Sequence, residues 1–243
     1  MSRYRFEDDD LDADIATGAG ETLMSELRLR KDRAHQVYKL ADGTKVPGIT
    51  TVLGVLNKPA LMKWANNLGL EGIDSSKYVD TLANVGTLVH DMVEADLAGT
   101  VVDTSEYSQK EIATAGVCMT KYREWHAGHR IDLLDYELQM VSEQHRFGGT
   151  LDIYARVDGK RALLDLKTGK AIYDEMILQL AGLRHLSEAS GRMVEQQIIL
   201  RIGRNEKEGF EARLVVLRSE HLEMVVHCVR VYELRRELFA GQA

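Results

Sequence analysis

Asp165 and Lys167 stand two residues apart in the stretch RALLDLKTGK, residues 161–170. In an extended strand that spacing puts both on one face, with Leu164 and Leu166 on the other. A carboxylate so placed can hold a hard divalent cation. An ammonium beside it can orient a water or steady negative charge on a substrate. The triplet by itself is weak, because composition alone yields about two Asp/Glu-x-Lys matches in a chain with 38 acidic residues. Its second instance, Asp158-Gly159-Lys160, reads as a hairpin turn. The chemistry therefore depends on what stands nearby.

Two further carboxylates are placed to join Asp165. In LLDYELQMVSE, alternation sends Tyr136, Leu138 and Met140 one way and Glu137 and Gln139 the other. In RFGGTLDIYARV, Leu151, Ile153, Ala155 and Val157 share a face and Asp152 opposes them. Consecutive antiparallel strands are neighbours, so Glu137, Asp152 and Asp165 can lie side by side. Carboxylates so close repel one another unless a cation sits between them, and oxygen ligands suit magnesium or manganese. The alternative is three unrelated acids on a wet sheet face. Two helical patterns add polar groups: His90 shares a face with Gly86, Val93 and Leu97, and Gln179 with Met176, Leu183 and Leu186. A half-buried Gln179 amide requires a partner, since burying it unpaired costs roughly 1–3 kcal/mol.

These positions need a scaffold. HQVYKLADGTKVPG reads as a hairpin turning at Asp42-Gly43. Helical patterns follow from Pro59 to Gly69, from about Ser76 to Gly99, and from about Ser108 to Gly128. Three alternating segments come next, the last two joined at Asp158-Gly159, then a helix stopped by Gly191, two strands, and a closing helix. The order implies an α/β (α+β) fold, a mixed sheet flanked by helices.

Composition sets limits. No run of 18 apolar residues is present, which excludes a transmembrane helix, and the acidic start MSRYRFEDDDLDAD lacks the apolar core of a signal peptide. Cys118 and Cys228, far apart in helical patterns, read as buried thiols of a reducing compartment, so a cytoplasmic location is expected. Two cysteines cannot hold a four-cysteine iron–sulfur cluster. The net charge is −7, but residues 1–22 carry seven acids against two arginines, which leaves only −2 for the remaining 221 residues. A near-neutral body can present a basic groove, and Arg28, Arg30, Lys31 and Arg33 in LRLRKDRAH form a concentrated basic segment, either a solvated helix flank or a nucleic-acid contact.

The series GTLVH (86–90), GGTLD (148–152), LLDLKTG (163–169) and QLAGL (179–183) resembles the PD-(D/E)xK nuclease superfamily. The closest resemblance is to its RecB-like, phage-type exonuclease branch, without the cysteines of the iron–sulfur members. The segment VPGITTVLGVLNKPALMKWA resembles phage members as well. The resemblance implies a restriction-endonuclease-like core at about 76–217. Composition and the lack of a linker imply one domain spanning 23–243, with an N-terminal helical elaboration, behind an acidic, disordered tail of residues 1–22. It implies Mg2+ or Mn2+ held by His90, Asp152, Asp165 and the backbone carbonyl of Leu166. Lys167 would orient and help deprotonate the attacking water, or stabilise charge on the phosphate. Glu137 would serve a second metal or support the first, and Gln179 would contact substrate or the lysine. The implied substrate is DNA, single- or double-stranded, with ends, and a single-strand annealing or other recombination protein is an implied partner. The sequence departs from the family pattern at Leu183, where a tyrosine is expected. His185 points elsewhere on the helix and is not a substitute.

Other readings are weaker. Lys167-Thr168-Gly169 matches a β-lactamase motif, but no Ser-x-x-Lys precedes it. His126 and His129 lack a carboxylate partner for zinc. The serious alternative is a nuclease fold that binds nucleic acid or protein without cutting. The tail FEDDDLDAD is either a solubilising terminus or a mimic of phosphate charge that occupies the DNA groove.

Overall fold

The structure is a computed structural model and describes residues 36–239. The acidic tail and the basic positions Arg28, Arg30, Lys31 and Arg33 lie outside the described residues.

Local signals start and stop the helices that frame the sheet. The strand pair β1 (Tyr38–Lys39) and β2 (Lys45–Val46) turns through Gly43 at φ 84°. Two helices, α1 (Ile49–Leu53) and α2 (Pro59–Leu70), follow, the latter opening on the proline that the sequence marks. The helix α3 (Ser75–Ala98) begins where the Asp74 carboxylate accepts the Ser76 and Lys77 N–H groups. It ends at Gly99, whose φ of 68° closes it with an N–H to the Ala95 carbonyl. In α4 (Gln109–His126), Ser108 and Glu111 form a reciprocal capping box.

Five strands build the main sheet: β3 (Ile131–Ser142), β4 (Phe147–Val157), β5 (Lys160–Thr168), β6 (Gln196–Ile202) and β7 (Phe210–Leu214). They lie in sequence order, all antiparallel except β5 and β6, which run parallel. Parallel pairing needs a crossover, which α5 (Asp174–Ala189) supplies. The chain closes with α6 (Ser219–Phe239). The expected mixed sheet flanked by helices is thus the observed architecture. The turn at Asp158-Gly159 has φ values of 51° and 84°, as a tight two-residue hairpin requires.

Each sheet face is buried under its own helices. Leu151, Leu163 and Ile199 pack with Ile49, Leu183, Leu186 and Val225, from α1, α5 and α6. On the opposite face, Ile153, Leu164, Leu166 and Leu200 pack with Val85, Leu88, Val89, Cys118 and Tyr122, from α3 and α4. Three features depart from the sequence reading. Leu151 packs on the first face while Ile153, Ala155 and Val157 pack on the second, so the face they were expected to share breaks at Asp152. The five-residue α1 was not expected, because one turn and a half is too short to display periodicity. In β3 the register shifts between Leu133 and Asp135, so Leu134 is an extra residue in the strand and strict alternation fails there.

Among the described residues, no helix is long and apolar enough to cross a membrane.

Candidate active site

The candidate residues gather where two strands part. The β4–β5 ladder runs from Val157–Lys160 to Ile153–Leu164 and stops. Beyond that point backbone pairing gives way to a side chain: the Asp152 Oδ2 accepts the Leu166 N–H at 2.9 Å. A buried N–H must find an acceptor, and Asp152 supplies it without closing the strands together. The parting leaves Asp165, 1 % exposed, beside Asp152, 9 % exposed, at the head of the fork.

A lysine and a histidine meet these acids. The Lys167 Nζ lies 2.9 Å from Asp165 Oδ1 and 2.8 Å from Oδ2. From α3, the His90 Nδ1 stands 3.5 Å from Asp152 Oδ1. Gly86 makes this approach feasible: a Cβ there would lie 3.2 Å from the Thr168 hydroxyl, so the absent side chain lets α3 close on the end of β5. One turn later the helix delivers His90 to the acids.

Charge and burial oppose each other throughout the site. Burial pushes Asp152 up, but His90, Lys167 and the Leu166 N–H outweigh it and bring its pKa down to about 2. Burial pushes Asp165 up as well, and there it prevails over the attraction of Lys167, aided by the like charge of Asp152. Burial draws the Lys167 ammonium down, yet Asp165 and Asp152 hold it above the ordinary lysine value. His90 is likewise drawn down by burial and held above its ordinary value by Asp152. Lys167 is therefore a firmly protonated cation in this arrangement. It is equipped to orient a group or stabilise anionic charge.

The donors match a hard divalent cation in kind: two carboxylates, an imidazole and the Leu166 carbonyl at the same strand position. Two of them are orphaned. His90 Nδ1 and Asp165 Oδ2 are buried and make no properly formed hydrogen bond, although Asp165 Oδ2 lies within ion-pair distance of Lys167. Orphaned buried atoms of this type suit a missing ligand. Even so, among the described residues no three His, Cys, Asp or Glu side chains stand together as a preassembled metal cage. Lys167 neutralises Asp165 in its place.

Glu137 occupies the β3 position between Tyr136, paired with Ile153, and Leu138, paired with Leu151, so by register it faces Asp152. Its φ of 51° breaks the regular strand, and the charges that act most strongly on Asp152 and Asp165 do not include it. Gln179 is half-buried on α5, and no side-chain hydrogen bond accompanies it among the described residues. The expectation of an obligatory partner was incorrect, because none of its side-chain polar atoms is fully enclosed. Leu183 has no exposure and packs toward β4, where a Cβ on Gly149 would lie 2.8 Å from its Cδ2. The departure from tyrosine thus places an aliphatic side chain in the core. His185 is occupied elsewhere, with its Nε2 3.1 Å from the Ser142 hydroxyl.

Two buried charged groups near the site were not anticipated. Glu94, one turn beyond His90 on α3, is 4 % exposed, and its charge raises the His90 pKa. Its i+4 spacing from His90 was the available signal. Arg201 on β6 pairs in register with Lys167, and its Nη1 donates to the carbonyls of Gly169 at 3.2 Å and Glu208 at 2.5 Å. A lone arginine in an apolar strand pattern gave no sequence signal for that clamp.

No protein-family profile and no curated protein matches the chain. Among solved structures, the chain is similar to a candidate exonuclease from Eubacterium rectale, at 15 % identity over 62 % of this chain and 65 % of that one, with a TM-score of 0.42. The chain thus spans less than two thirds of that protein's length. It is also similar to LHK-Exo, solved in complex with dAMP, at 11 % identity over 82 % of this chain and 95 % of that one, with a TM-score of 0.38. The architecture assigned above rests on strand order and register, not on these overall likenesses.

Proposed function

We propose that the chain is a metal-dependent deoxyribonuclease, an exonuclease of the phage recombination type. The observation that carries this reading is the fork, where Asp152, Asp165, Lys167 and His90 converge in a largely buried cluster. His90, Asp152, Asp165 and the Leu166 carbonyl would hold Mg2+ or Mn2+. Such an ion, when bound, polarises a phosphoryl oxygen and lowers the pKa of a water. The chain's own contribution is to pin Asp152 through the Leu166 N–H, to keep Asp152 ionised, and to present the Lys167 ammonium to a phosphate. Releasing Lys167 from Asp165 frees both for these tasks. DNA ends as substrate and a recombination protein as partner follow from the sequence resemblance, a cytoplasmic setting follows from the cysteines and the acidic start, and these complete the proposal.

The test is degradation of end-labelled linear DNA and covalently closed circular DNA with Mg2+ or Mn2+. Linear DNA should be cut and circular DNA spared, with loss of cutting in Asp165→Ala and Lys167→Ala. A specific observation favours a second reading, a binding module that does not cut: no three metal-donor side chains stand preassembled among the described residues. Intact DNA of every form, together with no heat of Mg2+ or Mn2+ binding in calorimetry, would establish that reading instead.

A further inference from the structure

The seat of Tyr38 is built around its ring. A Cβ on Gly148 would lie 2.3–2.5 Å from three ring-side atoms of Tyr38, and one on Gly48 would lie 2.9 Å from another. The same two glycines form a strand bridge, and the Gly148 N–H donates to the Pro47 carbonyl at 2.9 Å. Two missing side chains thus fix one aromatic ring against β4. The ring delivers its hydroxyl to the Thr150 hydroxyl at 2.9 Å, and the Gln36 side-chain oxygen contacts both.

Three oxygens in mutual contact share only two hydroxyl protons, so one of the three contacts lacks a proton of its own. If Thr150 turns its hydroxyl proton to an anionic acceptor, Tyr38 still donates to the Gln36 oxygen, so each of the three oxygens keeps one partner. Its position gives that capacity a use. Thr150 lies two residues before Asp152 on β4. Both lie beyond the last β4–β5 ladder pair, Ile153–Leu164, and so on the open side of the fork. Burial raises the Tyr38 pKa, so the phenol stays neutral and keeps its proton.

We propose that the Thr150 hydroxyl binds a phosphate oxygen of the substrate strand next to the one at the fork, and that Tyr38 is the positioning residue that aims it. This rests on the nuclease reading and adds to it a second phosphate contact.

The test is steady-state cleavage of linear DNA by wild type, Thr150→Val, Thr150→Ser, Tyr38→Phe and the double variant Tyr38→Phe/Thr150→Val, with thermal melting of each. A hydrogen bond to a charged group corresponds to about a tenfold or larger effect on affinity, so Thr150→Val should raise KM about tenfold with kcat little changed. Thr150→Ser keeps the hydroxyl and should restore the wild-type KM. Tyr38→Phe should raise KM by about threefold, and the double variant should be no worse than Thr150→Val, because one residue acts through the other. With wild type active, an unchanged KM in Thr150→Val, a Thr150→Ser as impaired as the valine, or single effects that multiply in the double variant would each overturn the proposal. A wild type that cuts no DNA would overturn the nuclease reading, and this contact with it.

Discussion

The two ends of the β4–β5 pair are built to opposite rules. At the hairpin end, five residue pairs run in unbroken register from Val157–Lys160 to Ile153–Leu164, closed by two residues with positive φ. Ala155, Val157, Ala162 and Leu164 are buried there, and the ladder is backbone pairing, with side chains such as Glu195, which accepts the Arg161 N–H, bonding only at its edge. At the other end the strands part, and side chains replace the ladder: Asp152 takes the Leu166 N–H while Lys167 and His90 balance buried acids. The closed end contributes stability without chemistry. The open end retains buried charge whose desolvation offsets much of its mutual attraction, and buried ion pairs of this kind add little net stability. Such an arrangement is explained by function better than by folding.

Substitutions at the two ends should separate accordingly. The largest effect is expected for Asp165→Ala, which should lower DNA cleavage by about 10²–10⁴-fold or more, the range for a group acting directly in proton or charge transfer. Its melting temperature should also fall, because the Lys167 ammonium loses its partner, but the fraction that stays folded should not cut; cleavage at the wild-type rate by that folded fraction would contradict the contrast between the ends. Leu164→Ala at the closed end should act on stability alone. Denaturant titration should show a loss of about 2–5 kcal/mol from the cavity, with the activity of the remaining folded enzyme retained.

Leu183→Tyr is next in size. Its fully buried site against Gly149 has no room for a phenol, so overpacking should cost about 1–3 kcal/mol, and the introduced ring should not improve cleavage. A stable variant with enhanced activity would show that the side chain can turn toward the site. Asp152→Asn keeps an amide oxygen that can accept the Leu166 N–H but removes the charge that faces His90 and Lys167, so it should lose part of the stability at neutral pH. The sign of its pH dependence is definite. The folded-state pKa of Asp152 is depressed to about 2, below the unfolded value, so its ionised form stabilises the fold above pH about 4 and that contribution is lost as pH falls toward 2. Wild type should therefore lose stability over that window more steeply than Asp152→Asn; parallel curves would remove Asp152 as a source of the acid sensitivity. At any pH below about 10, Cys118 should resist thiol reagents until the protein unfolds, because burial pushes its pKa up to about 11.

Much of the closed end could be read from the chain. Asp158-Gly159 declared the turn, alternation declared the strands, and Ser108 with Glu111 and Gly99 declared helix limits, because each is a local requirement met by local residues. Asp165, Lys167, Asp152 and His90 were also legible as candidates, by type and spacing. The fork itself was not. Nothing in the alternation of β4 or β5 announces that their ladder stops at Ile153–Leu164, since the stop depends on a side chain accepting a backbone hydrogen bond from another strand. Glu137 was read on a regular strand, and neither the extra residue at Leu134 nor its own left-handed conformation shows in a period-two pattern. The Tyr38–Thr150 contact joins residues 112 positions apart and leaves only two glycines as its trace.

The single parallel pairing, between β5 and β6, bears on how the molecule comes into being. The β3–β4–β5 meander closes through short connections and can form while later segments are still being synthesised, bringing Asp152 toward Asp165 early. The β6 strand can dock on β5 only after the whole α5 crossover is available, a slow, non-local step. Until then Arg201 does not hold the Gly169 carbonyl, and the Lys167 end of β5 lacks its flank. A nascent or truncated chain ending before β6 therefore carries the acidic residues without the strand that braces them. The brace at the Lys167 end of β5 is thus complete only when β6 is in place.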